Sequence, residues 1–263
     1  MVNQRRDDVR SLPHPTQPSM PANANRRTPL RRVLFDYTLA LTALTSLPGC
    51  GGVDAAAPVS GSGTSLTGVT DFKGEAWADN WFALYRGDTL IAEDAVPITT
   101  ERSFNAETFS FRGTYPMTLA FVLKDYRAND SGLEYIGQPN QQIGDGGFIF
   151  QLTDVTRNLK VLVSTSAWRC LVIHRAPLNA SCEKDPNPLQ SCRWQSDPEP
   201  SGWKSAAFND AGWPFATEHT AAAVGPKDGY LQIAWDPTAR FIWSSDLKLD
   251  NTVLCRVTVR APS

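Results

Sequence analysis

The feature that most constrains the fold is an alternation of apolar and polar side chains with a period of two residues. Successive side chains on a β-strand point to opposite faces of a sheet, so this period predicts half-buried strands rather than helices. No stretch longer than a turn or two has the 3.6-residue period of a helix. The clearest alternating sets are Val253, Cys255, Val257 and Val259, then Trp168, Cys170 and Val172, then Phe148, Phe150 and Leu152.

Further strands are predicted where apolar runs are separated by turn residues. The nearly continuous apolar run Met117–Leu123 predicts a strand buried on both faces. Turn chemistry such as Asn129–Gly132 and Gly144–Gly147 separates the runs, and 19 prolines and 18 glycines suit short strands joined by loops. We therefore predict an all-β fold, an antiparallel β-sandwich with one core, over residues 71–263. Other strand candidates are Trp81–Tyr85, Phe104–Phe111, Lys160–Ser164 and Leu231–Trp235.

Three segments resemble a known domain family. These are Ala78–Asp88, Trp203–Ala216, and Arg240–Trp243 followed by the strand Val253–Val259. They are similar to motifs of the galactose-binding-like jelly-roll domains attached to bacterial rhamnosidases and related glycosidases. The resemblance covers roughly residues 76–260. It implies a jelly-roll sandwich that binds glycans without catalysing a reaction.

The N-terminal part of the chain resembles a bacterial lipoprotein signal. An arginine cluster precedes a short apolar run, Val33–Thr45, and the segment Leu47–Cys50 ends in a cysteine. The run is too short to span a bilayer, which takes roughly 20 apolar residues, and its flanks fit a cleavable signal. We therefore expect residues 1–49 to be a signal peptide and Cys50 to be diacylated. The arginines are Arg26, Arg27, Arg31 and Arg32.

Several alternatives remain open for this segment. Arg31–Phe35 is similar to a twin-arginine export motif, Met20 is a second possible start, and a plain secretory signal with a chance cysteine is the competing interpretation. Residues 50–70, rich in Gly, Ala, Ser and Thr, predict a flexible linker. We expect an exported protein anchored in the cell envelope through Cys50. Gly51, directly after this cysteine, is not the aspartate of an inner-membrane retention signal, so we expect the outer membrane where two membranes are present.

Charge excludes one class of partner. After residue 49 the chain carries 18 basic and 24 acidic residues, and the predicted domain has no block of like charge. Nucleic acids are bound through clusters of basic residues that neutralise phosphates. We therefore expect no nucleic-acid partner; the predicted partners are the membrane, through the lipid anchor, and a glycan or another envelope protein.

Four cysteines follow Cys50, and in an exported chain an even number predicts disulfides. Three connectivities are possible. Cys182 and Cys192 bracket a loop rich in Asp, Asn and Pro, which favours pairing them, while Cys170 and Cys255 lie in alternating runs and are able to meet across the core. Zinc binding is the alternative, but the spacings are not the short C-x₂₋₄-C pairs typical of zinc sites.

The eight tryptophans suggest a ligand surface, because aromatic faces stack on sugar rings. Trp81, Trp194 and Trp203 lie next to polar turns or the Pro-rich loop, and Asp79 and Asn80 precede the first of them. These five residues are the predicted ligand-binding set. The competing interpretation is that most of the indoles fill the core, as we expect for Trp213 and Trp243.

A structural calcium ion is a further prediction. Asp125, Asn129, Asp130 and Glu134 place four oxygen-bearing side chains within ten residues around a glycine turn. Calcium takes six to eight oxygen ligands in proteins. The alternative is that these are solvated turn residues, since the spacing lacks the regularity of a dedicated calcium loop.

Catalytic motifs are absent from the sequence. It has no Gly-x-Ser-x-Gly elbow, no His-Glu-x-x-His helix and no phosphate-binding glycine loop. We therefore expect a non-catalytic envelope lipoprotein whose sandwich binds a carbohydrate or another ligand. One alternative is a structural or assembly protein that contacts another envelope protein, and a second is a secreted glycoside hydrolase with an unrecognised carboxylate pair.

Overall fold

The structure is a computed structural model, which describes residues 68–97, 105–125 and 129–262. Cys50 and most of the predicted linker therefore lie outside the described residues. Two short α-helices, α1 (Pro188–Ser191) and α2 (Ala221–Val224), and 3₁₀ turns at Ala180–Cys182 and Tyr230–Gln232 accompany the strands. The strands are β1 (Thr70–Asp79), β2 (Trp81–Arg86), β3 (Thr89–Glu93), β4 (Ala106–Gly113), β5 (Met117–Lys124), β6 (Leu133–Glu134), β7 (Gln142–Ile143), β8 (Gly147–Asp154), β9 (Leu159–Val163), β10 (Arg169–Arg175), β11 (Gln195–Ser196), β12 (Thr217–His219), β13 (Phe241–Trp243) and β14 (Asp250–Val259).

The strands form two antiparallel sheets packed face to face. Sheet A has the order β12-β13-β8-β1-β4, with β9 also paired to β8, and sheet B has the order β11-β10-β14-β5-β2-β3. The short hairpin β6-β7 is separate. The predicted all-β, antiparallel sandwich is confirmed.

The core between the sheets is built from the inward-facing rows that the alternation predicted. Phe148 and Phe150 of sheet A meet Phe121 of sheet B, with ring centroids 5.4 Å and 5.1 Å apart. Trp168 closes the cluster at 5.0 Å from Phe121. At such separations aromatic rings pack favourably, edge to face or offset. These side chains are fully buried, so the interlayer core is largely aromatic.

Both sheets also have a covered outer face. Behind sheet B, Ala120 and Val122 of β5 pack against Trp203 and Trp213, which confirms that β5 is buried on both sides. Behind sheet A, Trp77 and Ile149 belong to a second apolar cluster. We refer to residues 197–216 as the sheet B cover and to residues 220–240 as the sheet A cover.

Two disulfides are formed, Cys170–Cys255 and Cys182–Cys192. The second closes the Pro-rich loop as favoured from the sequence. The first joins directly paired residues of the neighbouring strands β10 and β14. It therefore links two strands of one sheet and does not cross from sheet to sheet.

Two local expectations differ from the structure. Leu231–Trp235 is not a strand, because Tyr230–Gln232 forms a 3₁₀ turn and the segment packs as part of the sheet A cover. Strand β1, which the alternation did not reveal, lies between β4 and β8 in sheet A. The inward-facing row of β1 includes Gly74, where a Cβ atom would lie 2.4 Å from the Phe109 ring, so there is no room for a larger residue. Small residues in this row weaken the alternation of apolar and polar side chains.

The two ends of the sandwich differ in composition. At one end β1 begins at Thr70, β5 begins at Met117 and β14 ends at Val259; we call this the entry end. At the opposite end β1 finishes at Asp79 and β14 begins at Asp250. We call it the polar end because the residues there are predominantly polar.

Candidate functional site

At the polar end the inward rows change from apolar to polar. Asn80, Asp125 and Asn251 each lie two positions beyond a core residue of sheet B, and all three are buried. Their backbones are joined, since the Asn80 amide donates to the Lys124 carbonyl at 2.9 Å and the Asp125 amide donates to the Asn251 carbonyl at 3.0 Å. The apolar core therefore ends in a layer of amide and carboxylate groups.

Carboxylates crowd together beside this layer. Asp79 is only 2% exposed, and burial, reinforced by the charges of Asp145 and Glu134, raises its pKa to about 8 against the opposing effect of Lys227. Burial also raises the pKa of Asp145. Asp79 therefore holds a proton at neutral pH, which limits the negative charge buried at this end.

The four predicted calcium ligands lie at the polar end but are engaged separately. The Asn129 side-chain oxygen accepts from the Ser131 amide at 2.8 Å, and Asp130 Oδ1 lies 3.2 Å from His174 Nε2. Glu134 Oε2 accepts from Gln142 at 3.0 Å. Asp125 is fully buried against Gly144. Within residues 68–97, 105–125 and 129–262, no three His, Cys, Asp or Glu side chains form a group able to hold a metal ion, and the calcium site stays a prediction.

The predicted ligand-binding residues are distributed over four environments. Asp79 and Asn80 are buried at the polar end, and Trp203 is buried in the sheet B cover with its indole N–H donating to Glu199 at 2.8 Å. Trp81 is half-buried, with Lys124 Nζ 5.3 Å from its ring centroid. Trp194 is 44% exposed and directly follows the loop closed by the second disulfide. The five residues do not share one open surface.

An open groove lies elsewhere, on the outer face of sheet A. It encloses about 490 Å³, which is within the range of small-ligand sites. Ile149, Phe241 and Tyr230 contribute its apolar lining, and polar side chains from β12 and from the sheet A cover lie around it. We call it the outer groove. The polar lining residues are Glu218, His219, Thr220 and Arg240.

The polar side chains of the outer groove are held in place by hydrogen bonds. Glu218 Oε1 accepts from both the amide and the hydroxyl of Ser166 at 2.8 Å. These two bonds, with a smaller contribution from Arg240, lower the pKa of Glu218 and keep it a carboxylate. Its other oxygen lies 4.0 Å from Arg240 Nε. His219 Nε2 lies 2.8 Å from the Ser244 carbonyl, so a carboxylate, a guanidinium and an imidazole are set along one groove.

Aromatic contacts fix the orientation of the Tyr230 ring. It stacks on Trp235 with centroids 5.8 Å apart and 18° between planes, and it lies 5.3 Å from Phe241. The Trp235 indole N–H donates to the Tyr230 carbonyl at 3.0 Å, and the Trp77 indole donates to Asp228 at 3.0 Å. The two aromatic rings that line the groove, Tyr230 and Phe241, are therefore held in place by a larger aromatic cluster.

Sequence reasoning identified neither Tyr230 nor Arg240 as site residues. Glu218 and His219 are adjacent in β12, but Tyr230 and Arg240 come from separate turns, and only the fold brings the four together. One available signal is the aromatic density of residues 230–243, in which the sequence predicts a strand at 231–235 and a motif of the galactose-binding-like family at 240–243.

Comparison with known proteins adds no assignment: no family model, no curated protein and no solved structure matches the chain. The resemblance to galactose-binding-like domains therefore stays a prediction. Among the described residues, neither α-helix nor 3₁₀ turn has the length and apolar character needed to cross a membrane.

Proposed function

We propose that this chain is a non-catalytic, lipid-anchored protein of the bacterial cell envelope whose sandwich binds carbohydrate in the outer groove. The observation that carries the proposal is the combination of a preformed aromatic and aliphatic lining with a carboxylate and a guanidinium 4.0 Å apart. The galactose-binding-like resemblance of the sequence agrees with it.

The chemistry of the groove suits a sugar ring. A pyranose presents a patch of C–H groups on one face and pairs of hydroxyls at its edge. The Tyr230 and Phe241 side chains offer apolar contact, while Glu218 accepts and Arg240 donates hydrogen bonds to neighbouring hydroxyls. A few placed polar groups in a mainly apolar concavity are typical of small-molecule sites.

Binding is tested with a glycan array, followed by calorimetric titration of the glycan retained. The protein is the processed chain that begins at Cys50. We expect Glu218→Gln and Arg240→Gln each to weaken binding by roughly tenfold, because each removes a charge-assisted hydrogen bond. Glu183→Gln, on the disulfide loop, is the matched control and should bind as the parent does. Failure of the parent chain to bind any glycan would overturn the proposal.

The lipid anchor rests on the sequence pattern that ends at Cys50, outside the described residues. Two or three acyl chains hold a protein firmly on a membrane. Globomycin treatment of cells that produce the full chain should leave an unprocessed precursor of lower gel mobility, and Cys50→Ala should do the same without the inhibitor. Normal processing in both cases would remove lipidation from the proposal and leave glycan binding intact.

Protein binding is the alternative, and one surface favours it. The loop around the second disulfide exposes three apolar side chains, Leu178, Leu189 and Trp194. Exposed apolar patches are typical of contacts with another protein. If Trp194→Ala abolished co-purification of an envelope protein, and glycan arrays stayed empty, an assembly role would replace carbohydrate binding.

A hydrolase is the second alternative, favoured by the raised pKa of Asp79. A carboxylic acid that keeps its proton at neutral pH is a requirement for a glycosidase acid. The Asp79 side chain is almost fully buried, however, so a glycosidic oxygen would reach it only after local opening. Turnover of chromogenic glycosides that Asp79→Asn abolishes would establish this function.

A further inference from the structure

The entry end of the sandwich carries a cluster of cations. Arg86 ends β2 and Arg112 lies near the end of β4, and the Arg86 guanidinium donates to the Arg112 carbonyl at 2.6 Å. Gly113 allows this close approach, since a Cβ atom there would lie 2.9 Å from Arg86 Nη1. The two arginines line one groove of about 550 Å³, together with Thr114 and Thr118.

A second groove near the same end adds two more cations. It encloses about 430 Å³ and is lined by Lys160, Thr258 and Arg260. Thr258 of β14 pairs directly with Thr118 of β5, which lines the first groove. The two grooves are thus neighbours, and together they offer guanidinium, ammonium and hydroxyl donors.

Carboxylates are present at this end, but most of them are engaged. Asp154 is buried and accepts from Arg157 at 2.8 Å and from Tyr115 at 2.9 Å. Asp71 faces Arg112 at 3.3 Å across an exposed pair, which is a weak, easily displaced interaction. Asp88 lines the first groove next to Arg86. Lys160 is itself paired, with its Nζ 3.8 Å from Glu75 Oε2. Arg86, Arg112 and Arg260 therefore give the end its positive excess, in contrast to the carboxylates of the polar end.

Exposed apolar side chains accompany these cations. Val155, 52% exposed, occupies the turn between β8 and β9, and its amide donates to the Asp71 carbonyl at 2.9 Å. Val69 directly precedes β1 and Leu159 begins β9, and both are also exposed. Cations interspersed with exposed apolar side chains are typical of surfaces that rest in the headgroup region of a bilayer.

We propose that the entry end is seated on the phospholipid surface, with phosphate groups bound by Arg86 and Arg112 in the first groove and by Arg260 in the second. Arginine suits this ligand because its planar fork of donors matches phosphate oxygens. The inference rests on the proposed lipid anchor, because the segment that leads back to Cys50 joins β1 at this end. The polar end then faces away from the membrane.

The experiment places a photo-reactive benzoylphenylalanine in the full chain, in living cells, at position 155 or, as the control, at position 231. Leu231 is 90% exposed on the sheet A cover and lies outside the entry end. After illumination, the purified protein is analysed by mass spectrometry for phospholipid adducts and for the acyl chains on Cys50. We expect adducts at position 155 and few at position 231.

A set of charge variants then tests the phosphate contacts. Arg86→Gln, Arg112→Gln and Arg260→Gln combined should lower the adduct yield at position 155 roughly fivefold or more, as loss of several membrane-facing cations predicts. Arg193→Gln, on the disulfide loop, should leave it unchanged. In vesicles, phosphatidylglycerol added to phosphatidylcholine should raise the yield, while free inorganic phosphate should compete only if the groove binds phosphate without a membrane.

The outcomes separate this inference from the anchor on which it rests. Two results would overturn the contact between the entry end and the membrane while leaving the anchor intact, provided that Cys50 is acylated. One is an equal adduct yield at positions 155 and 231, and the other is a yield at position 155 that the arginine substitutions do not change. An unacylated Cys50 would overturn the proposed anchor, and with it the proposed contact between the entry end and the membrane.

Discussion

The outer faces of the two sheets are covered in different ways. The sheet B cover is fastened by a buried ion: Arg256 of β14, 3% exposed, donates to Asp210 at 2.8 Å and to the carbonyls of Trp203, Ser205 and Phe208. The sheet A cover is held by packing of Tyr230 and its aromatic neighbours and by uncharged hydrogen bonds, from the Trp77 indole to the Asp228 carbonyl and between the Gln151 amide and residues 234 and 236, and it leaves the outer groove open. The cover of sheet B is therefore fixed by a buried guanidinium with several acceptors, whereas the cover of sheet A surrounds an open groove.

The two covers are expected to serve different purposes: the sheet B cover stabilises the fold, and the sheet A cover also forms the ligand site. A guanidinium that satisfies several acceptors at once fixes a loop in one conformation, because each acceptor left unpaired in a buried site costs free energy. A cover held by aromatic contacts tolerates a concave surface beside it. We therefore expect substitutions in the sheet B cover to act on folding and those in the sheet A cover to act on ligand binding as well.

The largest expected effect is on the buried ion. Arg256→Met should lower the free energy of unfolding by about 3–5 kcal/mol, since it leaves Asp210 and three backbone carbonyls without their donor. Urea denaturation monitored by tryptophan fluorescence measures the loss. Arg193→Met, at an exposed arginine, is the matched control, and equal stability of the two variants would contradict the contrast between the covers.

A smaller loss is expected in the sheet A cover. Tyr230→Ala should cost about 2 kcal/mol, less than for a fully buried aromatic residue, because its ring is only partly buried. It should also abolish glycan binding. Tyr230→Phe keeps the ring and should retain the stability. If Tyr230→Ala destabilised the chain as strongly as Arg256→Met, the two covers would not differ in the way described.

A third effect depends on pH. The pKa of Asp79 is about 8 in the folded chain, whereas the unfolded chain loses this proton near pH 4. Between these values the folded state binds more protons than the unfolded state, so the contribution of Asp79 to stability falls as pH rises from about 4 to about 8.

Asp79→Asn should remove this slope. We expect the variant to equal the parent in stability near pH 4 and to exceed it by a margin that grows as the pH approaches 8. Thermal unfolding across this range measures the difference. Because Lys227 faces Asp79, hydrogen exchange should change in the sheet A cover and not in the sheet B cover. A difference that is constant with pH would show that Asp79 does not titrate in this window.

The smallest effect is expected at a residue that belongs to neither cover. Trp194→Ala should change the free energy of unfolding by less than about 0.5 kcal/mol, because the ring is largely solvent-exposed. The same urea titration measures it. A loss comparable with that for Tyr230→Ala would mean that the disulfide loop packs more tightly than its exposure indicates.

The interlayer core was predictable from the sequence because large side chains occupy its rows. Phe148 and Phe150 alternate with residues of the opposite face, so the period of two is visible. Strand β1 was not predictable in this way, since Gly74 and Ala76 fill the corresponding positions and carry little hydrophobic signal. The residues 231–235 carry the signal of a strand, but the segment satisfies it by packing on the outside of sheet A.

The outer groove was not predictable from the sequence, for a different reason. Its polar residues come from strand β12, from the N-cap of α2 and from the turn before β13, and the Tyr230 ring comes from a 3₁₀ turn between α2 and β13. None of these residues differs from its sequence neighbours in a way that marks it as a ligand-binding residue. Candidate residues chosen by local composition, such as Trp203 and Asp79, are instead buried, because density of aromatic or acidic side chains also marks packed positions.

The position of β1 has a mechanical consequence. Force applied to the chain at Gly68 would pull β1 along its own axis while β4 and β8 hold it on both edges. Antiparallel hydrogen bonds run perpendicular to their strands, so both ladders would be loaded in shear simultaneously rather than unzipped one bond at a time. A pull transmitted through the chain that precedes β1, such as the proposed anchor at Cys50 would apply, would therefore act on a strand held along both edges.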